Sequence, residues 1–242
     1  MRLYGKNPVI ERIKADPGSI IKLYLRERTD LSDVVREARN AGLEFESAAK
    51  TRFREMCGAV HTQGVMAEIK EFKYTPFSKI LAECLDKISV PVFLDGVTDP
   101  QNLGSIIRNL ACLGGFTLVL PEHRSAQVNE TVLRVASGGE NYLGIARTVN
   151  IATTVKKAKA EGVLIAGAFV EDSDDILKTE LRLPLAVVIG SEGKGIRPGI
   201  RKCLDVSVSL PMPGAPLSYN VAVAASLFCY EINRRRWAMD AA

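Results

Sequence analysis

From residue 90 onward the chain repeats one pattern: a short apolar run, a segment with helical spacing, then another apolar run. Val92–Leu94, Phe116–Leu120, Val163–Val170, Leu185–Ile189 and Val206–Leu210 are the apolar runs, and they read as strands, most of them apolar nearly throughout, as strands buried on both faces are. Between them lie the helical segments Leu103–Leu113, stopped by Gly114-Gly115, a polar stretch around Asn129–Ala136, Ile151–Ala160 and finally Val221–Arg234. Apolar strands interleaved with helices demand an α/β fold whose mainly parallel sheet is covered on both faces.

The front of the chain mixes the same signals on a smaller scale. Ile20–Leu25 is a β-branched-rich strand candidate, Leu31–Asn40 a helix closed by Gly42, and Gly64–Phe72 a second strand. Residues 73–89 carry Pro76 and then Ile80, Leu81, Leu85 and Ile88 at helical spacing, which predicts a linker with a short helix; Pro91 reopens the chain as a strand. The expected organisation is a small α/β module over 1–75, a linker over 76–89 and a larger domain over 90–242.

A chain of 242 residues buries roughly 70–75% of its unfolded surface and needs no staple. The cysteines at 57, 84, 112, 203 and 229 form no CxxC pair and read as reduced core thiols. His61 and His123 are the only histidines, so the sequence offers no metal-ligand cluster and no Ser/His or Cys/His couple. Apolar stretches such as Leu183–Gly190 fall far short of the roughly 20 residues of a membrane span. Met1–Arg12 has no apolar signal core, and a cytoplasmic protein is expected. The net charge of +4 permits an acidic partner without demanding one; residues 1–75 hold most of it, with 14 Lys and Arg against 11 Asp and Glu.

In open parallel sheets, ligands bind at the loops leaving the carboxyl ends of the strands. Three such loops stand out: Asp95–Gly104, leading into a helix that carries Arg108; Gly190-Ser191-Glu192-Gly193-Lys194-Gly195, where glycines let the backbone approach a ligand; and Leu210–Asn220, rich in proline and ending in Ser218-Tyr219-Asn220. The spacing G-x-x-G-x-G of the second is neither the dinucleotide fingerprint nor a P-loop, so NAD and nucleotide triphosphates are poorly supported. Each loop alone is equally consistent with a structural turn, and Asn102 and Asn220 with helix N-caps.

In their order and spacing, Asp99–Arg108, Val188–Ile196 and Leu210-Pro211-Met212 with Gly214 and Ser218–Ala224 resemble the three motifs of the SpoU/TrmH family of RNA ribose 2′-O-methyltransferases, of the SPOUT class, over residues 92–236. Leu3–Val9 and Gly58–Val65 are similar to the opening and closing signatures of the L30e-like substrate-binding domain attached to many of these enzymes, and the subgroup most resembled is the 23S rRNA guanosine-2′-O-methyltransferases. The resemblance implies an N-terminal L30e-like α/β domain, a C-terminal α/β domain with a trefoil knot, an S-adenosyl-L-methionine cofactor, an RNA substrate (rRNA, with tRNA as the alternative), no metal and a homodimer formed through the last helix. The Gly190, Leu210 and Tyr219 positions match the cofactor contacts, with Met212 a lesser candidate; Tyr219 departs from the family's usual Leu. Arg108 matches the essential arginine. An arginine with a pKa above about 12 resists deprotonation, so the expected role is to grip an RNA phosphate and orient the hydroxyl. Asn102 would hold Arg108 or the substrate, Glu192 would pair with a cation or position its loop, and Ser218 and Asn220 would hydrogen-bond the site.

Further expectations are thinner. Arg234-Arg235-Arg236 reads as the solvated end of the last helix, with RNA contact secondary, and His61 beside Gln63 suits a ribose or base contact or a structural place equally. Arg2, Lys6, Arg12, Lys14, Arg52 and Arg54 would serve recognition of RNA shape and phosphates. The rival of another class is a non-catalytic dimeric RNA-binding protein with a degenerate second domain.

Overall fold

The computed structural model describes residues 1–58, 60–215 and 217–240; Ala59 and Pro216, which fall within the motifs above, lie outside the described residues. A four-stranded sheet comes first, built from β1 (Arg2–Tyr4), β2 (Ile20–Arg26), β3 (Glu46–Ala48) and β4 (Val65–Ile69) in the order β1-β4-β2-β3. Strand β4 runs antiparallel to both neighbours, and β3 parallel to β2. Helices α1 (Lys6–Ala15), α2 (Ser32–Asn40) and α3 (Lys50–Cys57) accompany it, and α4 (Phe77–Leu85) follows. The strand expected over Gly64–Phe72 stops at Ile69, because the chain then leaves the sheet: Lys70 N–H donates to Ser19 O, and Thr75 N–H donates to Ile145 O of the second sheet.

That sheet has seven strands, β5 (Val90–Asp95), β6 (Phe116–Pro121), β7 (Ile145–Thr148), β8 (Leu164–Phe169), β9 (Asp174–Asp175), β10 (Leu185–Gly190) and β11 (Val206–Ser209). They lie in the order β7-β6-β5-β10-β8-β11-β9 with parallel pairing throughout the described residues. Helices α5 (Pro100–Leu113), α6 (Glu130–Ala136), α7 (Ile151–Ala160), α8 (Pro198–Arg201) and α9 (Val221–Asp240) connect or follow them. Both faces are covered, and the period of two along each strand shows it. Val92, Leu94, Leu118, Leu120, Val187 and Ile189 join one apolar cluster with Leu103, Ile106 and Phe228; Phe93, Val119, Ala186 and Val188 join another with Ile80, Ile151 and Val155. The first cluster runs on without a break into Leu3, Val9 and Ile13 of the small sheet and its helix.

Four cysteines, at 57, 84, 203 and 229, are buried as expected, while Cys112 is exposed. Burial pushes the Cys84 thiol up to about 11 and the Cys229 thiol up as well, so both stay protonated. The last helix does not end at Arg234 but continues to Asp240, which corrects the reading of its arginines as a solvated end. Arg234 and Arg235 both donate to Glu231, Arg235 also reaches the carbonyls of Thr179 and Ile176, and Arg236 donates to the carbonyls of Gly115 and Ile88 at 3.1 Å each. Among the described residues no helix is long and apolar enough to cross a membrane.

Candidate active site

The sheet reverses its order of connection between β5 and β10: β6 and β7 lie beyond one, β8, β11 and β9 beyond the other. A crevice at the carboxyl ends is the consequence of such a switch point. Asp95 closes β5, in register with Gly190 at the end of β10. Its side chain is 0% exposed and pairs with Arg197, whose backbone N–H donates to Oδ2 at 2.8 Å and whose Nε donates to Oδ1 at 2.6 Å. This pair fixes the exit of the loop that β10 opens. Sequence reading did not single it out, although an acidic residue ending an all-apolar strand is a signal for a paired buried charge.

Within that loop Ser191 and Gly195 form an antiparallel bridge, and Gly195 N–H donates to Ser191 O at 2.9 Å. A Cβ on Gly190 would stand 2.1 Å from the carbonyl carbon of Gly195. Glycine is therefore required at 190 so that the loop can fold onto its own root.

The three sequence motifs meet at Glu192. Its Oε1 accepts hydrogen bonds from Asn220 Nδ2 at 2.7 Å, from the Val221 backbone N–H at 3.0 Å and from Asn102 Nδ2 at 3.4 Å. Asn220 Nδ2 also donates to Asn102 Oδ1 at 2.9 Å, while Asn220 Oδ1 caps α9 by accepting from Ala222 N–H at 2.9 Å. Asn220 thus serves both readings at once. Asn102 is not a cap: Asp99 holds that place on α5, accepting from Gln101 N–H at 2.9 Å, and Asn102 is left free to join the network. A carboxylate at the first N–H of α9 is also where the helix dipole favours it.

Arg108 lies further along α5, exposed and without an ion pair among the described residues, and the structure does not bring it into the network. Beside the network a cleft of about 460 Å³ is lined by Gly190–Gly195, Ser218, Tyr219 and Val221, by Ala168–Asp172 at the end of β8 and just beyond it, and by Ala224, Phe228 and Arg201. Leu210 and Met212 are half-buried and lie outside this lining. Phe169 was missed by sequence reading; it ends β8 one residue past Ala168, which registers with Ile189, and the Arg201 guanidinium stacks 4.6 Å over its ring. Phe169, Ile189, Phe228 and Tyr219 offer an apolar wall, the glycine loop offers backbone groups, and the lining carries negative charge at Glu171, Asp172 and Glu192 and positive charge at Lys194 and Arg201. Such a cleft suits a ligand with a flat apolar part and a polar part that carries charges of both signs.

Of the basic side chains expected to face RNA, Arg12 is withdrawn from solvent into an ion pair with Glu140 at 3.0 Å, the two side chains being 11% and 0% exposed. Arg28 and Lys50 instead line a surface recess of about 510 Å³ on the small sheet. His61 is exposed in a loop. No group of three or more His, Cys, Asp or Glu among the described residues could hold a metal ion.

Comparison with known proteins joins these observations. The family model described as SpoU rRNA methylase matches residues 89–230, and that described as RNA 2′-O ribose methyltransferase substrate binding matches residues 2–75. A 23S rRNA (guanosine-2′-O-)-methyltransferase of Shewanella oneidensis is 33% identical over 239 residues, 97% of each chain. A protein of Bacillus subtilis assigned to the TrmH family of tRNA/rRNA methyltransferases is 32% identical over 237 residues, 96% of this chain and 94% of its own. Among solved structures, the SpoU methyltransferase AviRb of Streptomyces viridochromogenes, in complex with the cofactor AdoMet, superposes with a TM-score of 0.80 at 23% identity, covering 98% of this chain and 91% of that one.

Proposed function

The chain belongs to the SpoU rRNA methylase family, and from that premise we propose that it methylates a ribose 2′-hydroxyl of structured RNA, specifically a guanosine of 23S rRNA, with S-adenosyl-L-methionine as the donor. The observation that carries the reading is the junction of Asn102, Glu192 and Asn220 beside the cleft, which draws all three motifs to the switch point of the sheet.

The residues present fit the donor. Its adenine suits the wall of Phe169, Ile189 and Tyr219, and its charged amino-acid end the acids Glu171 and Asp172 and the cations Lys194 and Arg201; Gly190 lines the cleft, while Leu210 and Met212, outside its lining, serve by shaping the loop after β11. When bound, it supplies an activated methyl group on a sulfonium. The protein is left with aligning the hydroxyl and helping it lose a proton. Arg108, exposed and without an ion pair among the described residues, presents its planar fork to an RNA phosphate and stays protonated, so that a phosphate oxygen or water takes the proton. Ser218 lies on the cleft wall and is assigned a hydrogen bond to the substrate, and Asn102, Glu192 and Asn220 hold the loops in register.

We place the substrate-binding module at 1–75, the linker at 76–89 and the catalytic domain at 90–242, with Leu210–Asn220 threaded as the family knot. Arg28 and Lys50 give the module a cationic face for RNA. A homodimer is supported by the exposed stripe Val223, Leu227 and Tyr230 on α9, continued by Trp237; a single-subunit mass in solution would rule it out.

The test is methyl transfer from labelled S-adenosylmethionine to 23S rRNA and to tRNA, with the modified nucleotide mapped. We expect one ribose of 23S rRNA to be labelled, and Arg108→Ala to lower the rate at least 100-fold with donor affinity kept. Labelling of tRNA alone would move the substrate, and no donor binding with or without RNA would replace the enzyme by an RNA-binding protein.

A further inference from the structure

Helix α5 carries Arg108 towards solvent, but its covered side is packed so closely that backbone lies against backbone. A Cβ on Gly104 would stand 2.6 Å from Val135 Cβ and 2.9 Å from the Val132 carbonyl of α6. One on Gly139, in the 3-10 turn Gly139–Asn141 after α6, would stand 3.0 Å from the Cα of Arg108 and 3.4 Å from its N. Helix α6 and this turn therefore form the seat on which the Arg108 segment rests.

The small module docks on the other side of the same seat. A Cβ on Gly138 would stand 2.5 Å from Glu11 Cβ, the Tyr142 hydroxyl donates to Glu11, and Arg2 N–H donates to Glu130 Oε1 at 2.7 Å. At the centre Arg12 Nη2 meets Glu140 Oε1 at 3.0 Å, while Arg12 Nε and Glu140 Oε2 are buried without a partner. A buried ion pair that leaves one donor and one acceptor atom unmatched is a poor stabiliser.

We propose that Glu140 is a positioning residue for Arg108: the substrate module, docked through Arg12, sets the turn Gly139–Asn141, and the turn sets where the α5 backbone holds the arginine. The proposal rests on the methyltransferase reading for the role of Arg108 and goes beyond it by making the RNA-binding module part of the catalytic geometry. Misplacement of a positioning group by about 1 Å can cost on the order of 100-fold in rate.

The test uses the full chain as wild type, Glu140→Gln and Arg12→Met, with Arg108→Lys to assign the Arg108 side-chain resonance in 15N-arginine-labelled protein. We expect both variants to shift that resonance; Glu140→Gln keeps its melting temperature at pH 7 within a few degrees of wild type, while Arg12→Met, which leaves the Glu140 carboxylate buried without its cation, melts lower. With RNA and S-adenosylmethionine, kcat falls at least tenfold while the RNA KM and the donor Kd stay within threefold. In the Arg108→Lys background, Glu140→Gln lowers kcat no further. An unmoved Arg108 resonance, a kcat within twofold of wild type, or an equal fall in the Arg108→Lys background overturns the proposal. A wild-type protein that methylates no RNA would sink the methyltransferase reading instead, and the resonance would still decide the coupling.

Discussion

Glu192 gathers three donors on one oxygen, two from side chains and one from the first backbone N–H of α9. Removing it leaves Asn220 and Val221 to water, at a cost reduced by exposure to about 1 kcal/mol. Glu192→Ala should therefore fold with a urea midpoint only slightly lowered, yet lose most methyl transfer because the loops lose register. Glu192→Gln keeps an acceptor at the same place and should retain the larger share of activity; equal loss in both variants would show that the charge, not the geometry, matters. Gly190→Ala is the opposite case. Its Cβ would meet the Gly195 carbonyl carbon at 2.1 Å, so the loop must open, at about 3 kcal/mol, the upper end of ordinary overpacking. Urea unfolding and donor titration should both register it. The residues of this network were legible in the sequence because they sit in ordered motifs after strands. Asp95 and Phe169 were not, since their part depends on which strand end lies beside which, and β10 joins β5 and β8 only in the folded sheet.

At the level of elements, the apolar runs mark five of the seven strands of the large sheet within a residue or two, β7 and β9 being missed, because burial on both faces leaves little choice of composition. Short elements such as β1, β3 and β9, and the polar helices α1 and α3, carry too few apolar residues to show a period and were not anticipated. Helix α9 shows a different limit. Three consecutive arginines resemble a helix end, but long side chains can turn back to satisfy carbonyls of other segments. Arg235 does so at Thr179 and Ile176 and also pairs with Glu231, whose carboxyl is held below its ordinary 4.5, chiefly by the hydrogen bond from Arg234. Arg235→Ala would strip two carbonyls of their donor and is expected to cost about 2 kcal/mol. Its urea midpoint at neutral pH checks this; a value unchanged from wild type would return the arginine to solvent.

Across the whole molecule the two modules share one apolar core, with Leu3, Val9 and Ile13 in the same cluster as Leu103 and Leu133. No sequence pattern announces such sharing, because each residue only shows that it is apolar, not which module covers it. It follows that the Arg12–Glu140 pair need not hold the junction, and pH can show this. Burial raises the Glu140 carboxyl above its ordinary 4.5, and Arg12 offsets that only in part. A folded value above the unfolded one means that folding takes up a proton. The contribution of this group is fully present below 4.5 and is lost as the pH rises through the folded value. Glutamine cannot ionise, so Glu140→Gln should lose that slope. The stability of wild type minus that of the variant, from urea unfolding between about pH 4.5 and 8, should fall as the pH rises. If it rose instead, the attraction of Arg12 would outweigh desolvation, and the pair would be a clamp between the modules. A falling difference, together with a kcat lowered in the same variant, would separate the two roles: apolar surface holds the substrate module in place, and the buried charge pair sets the turn beneath Arg108.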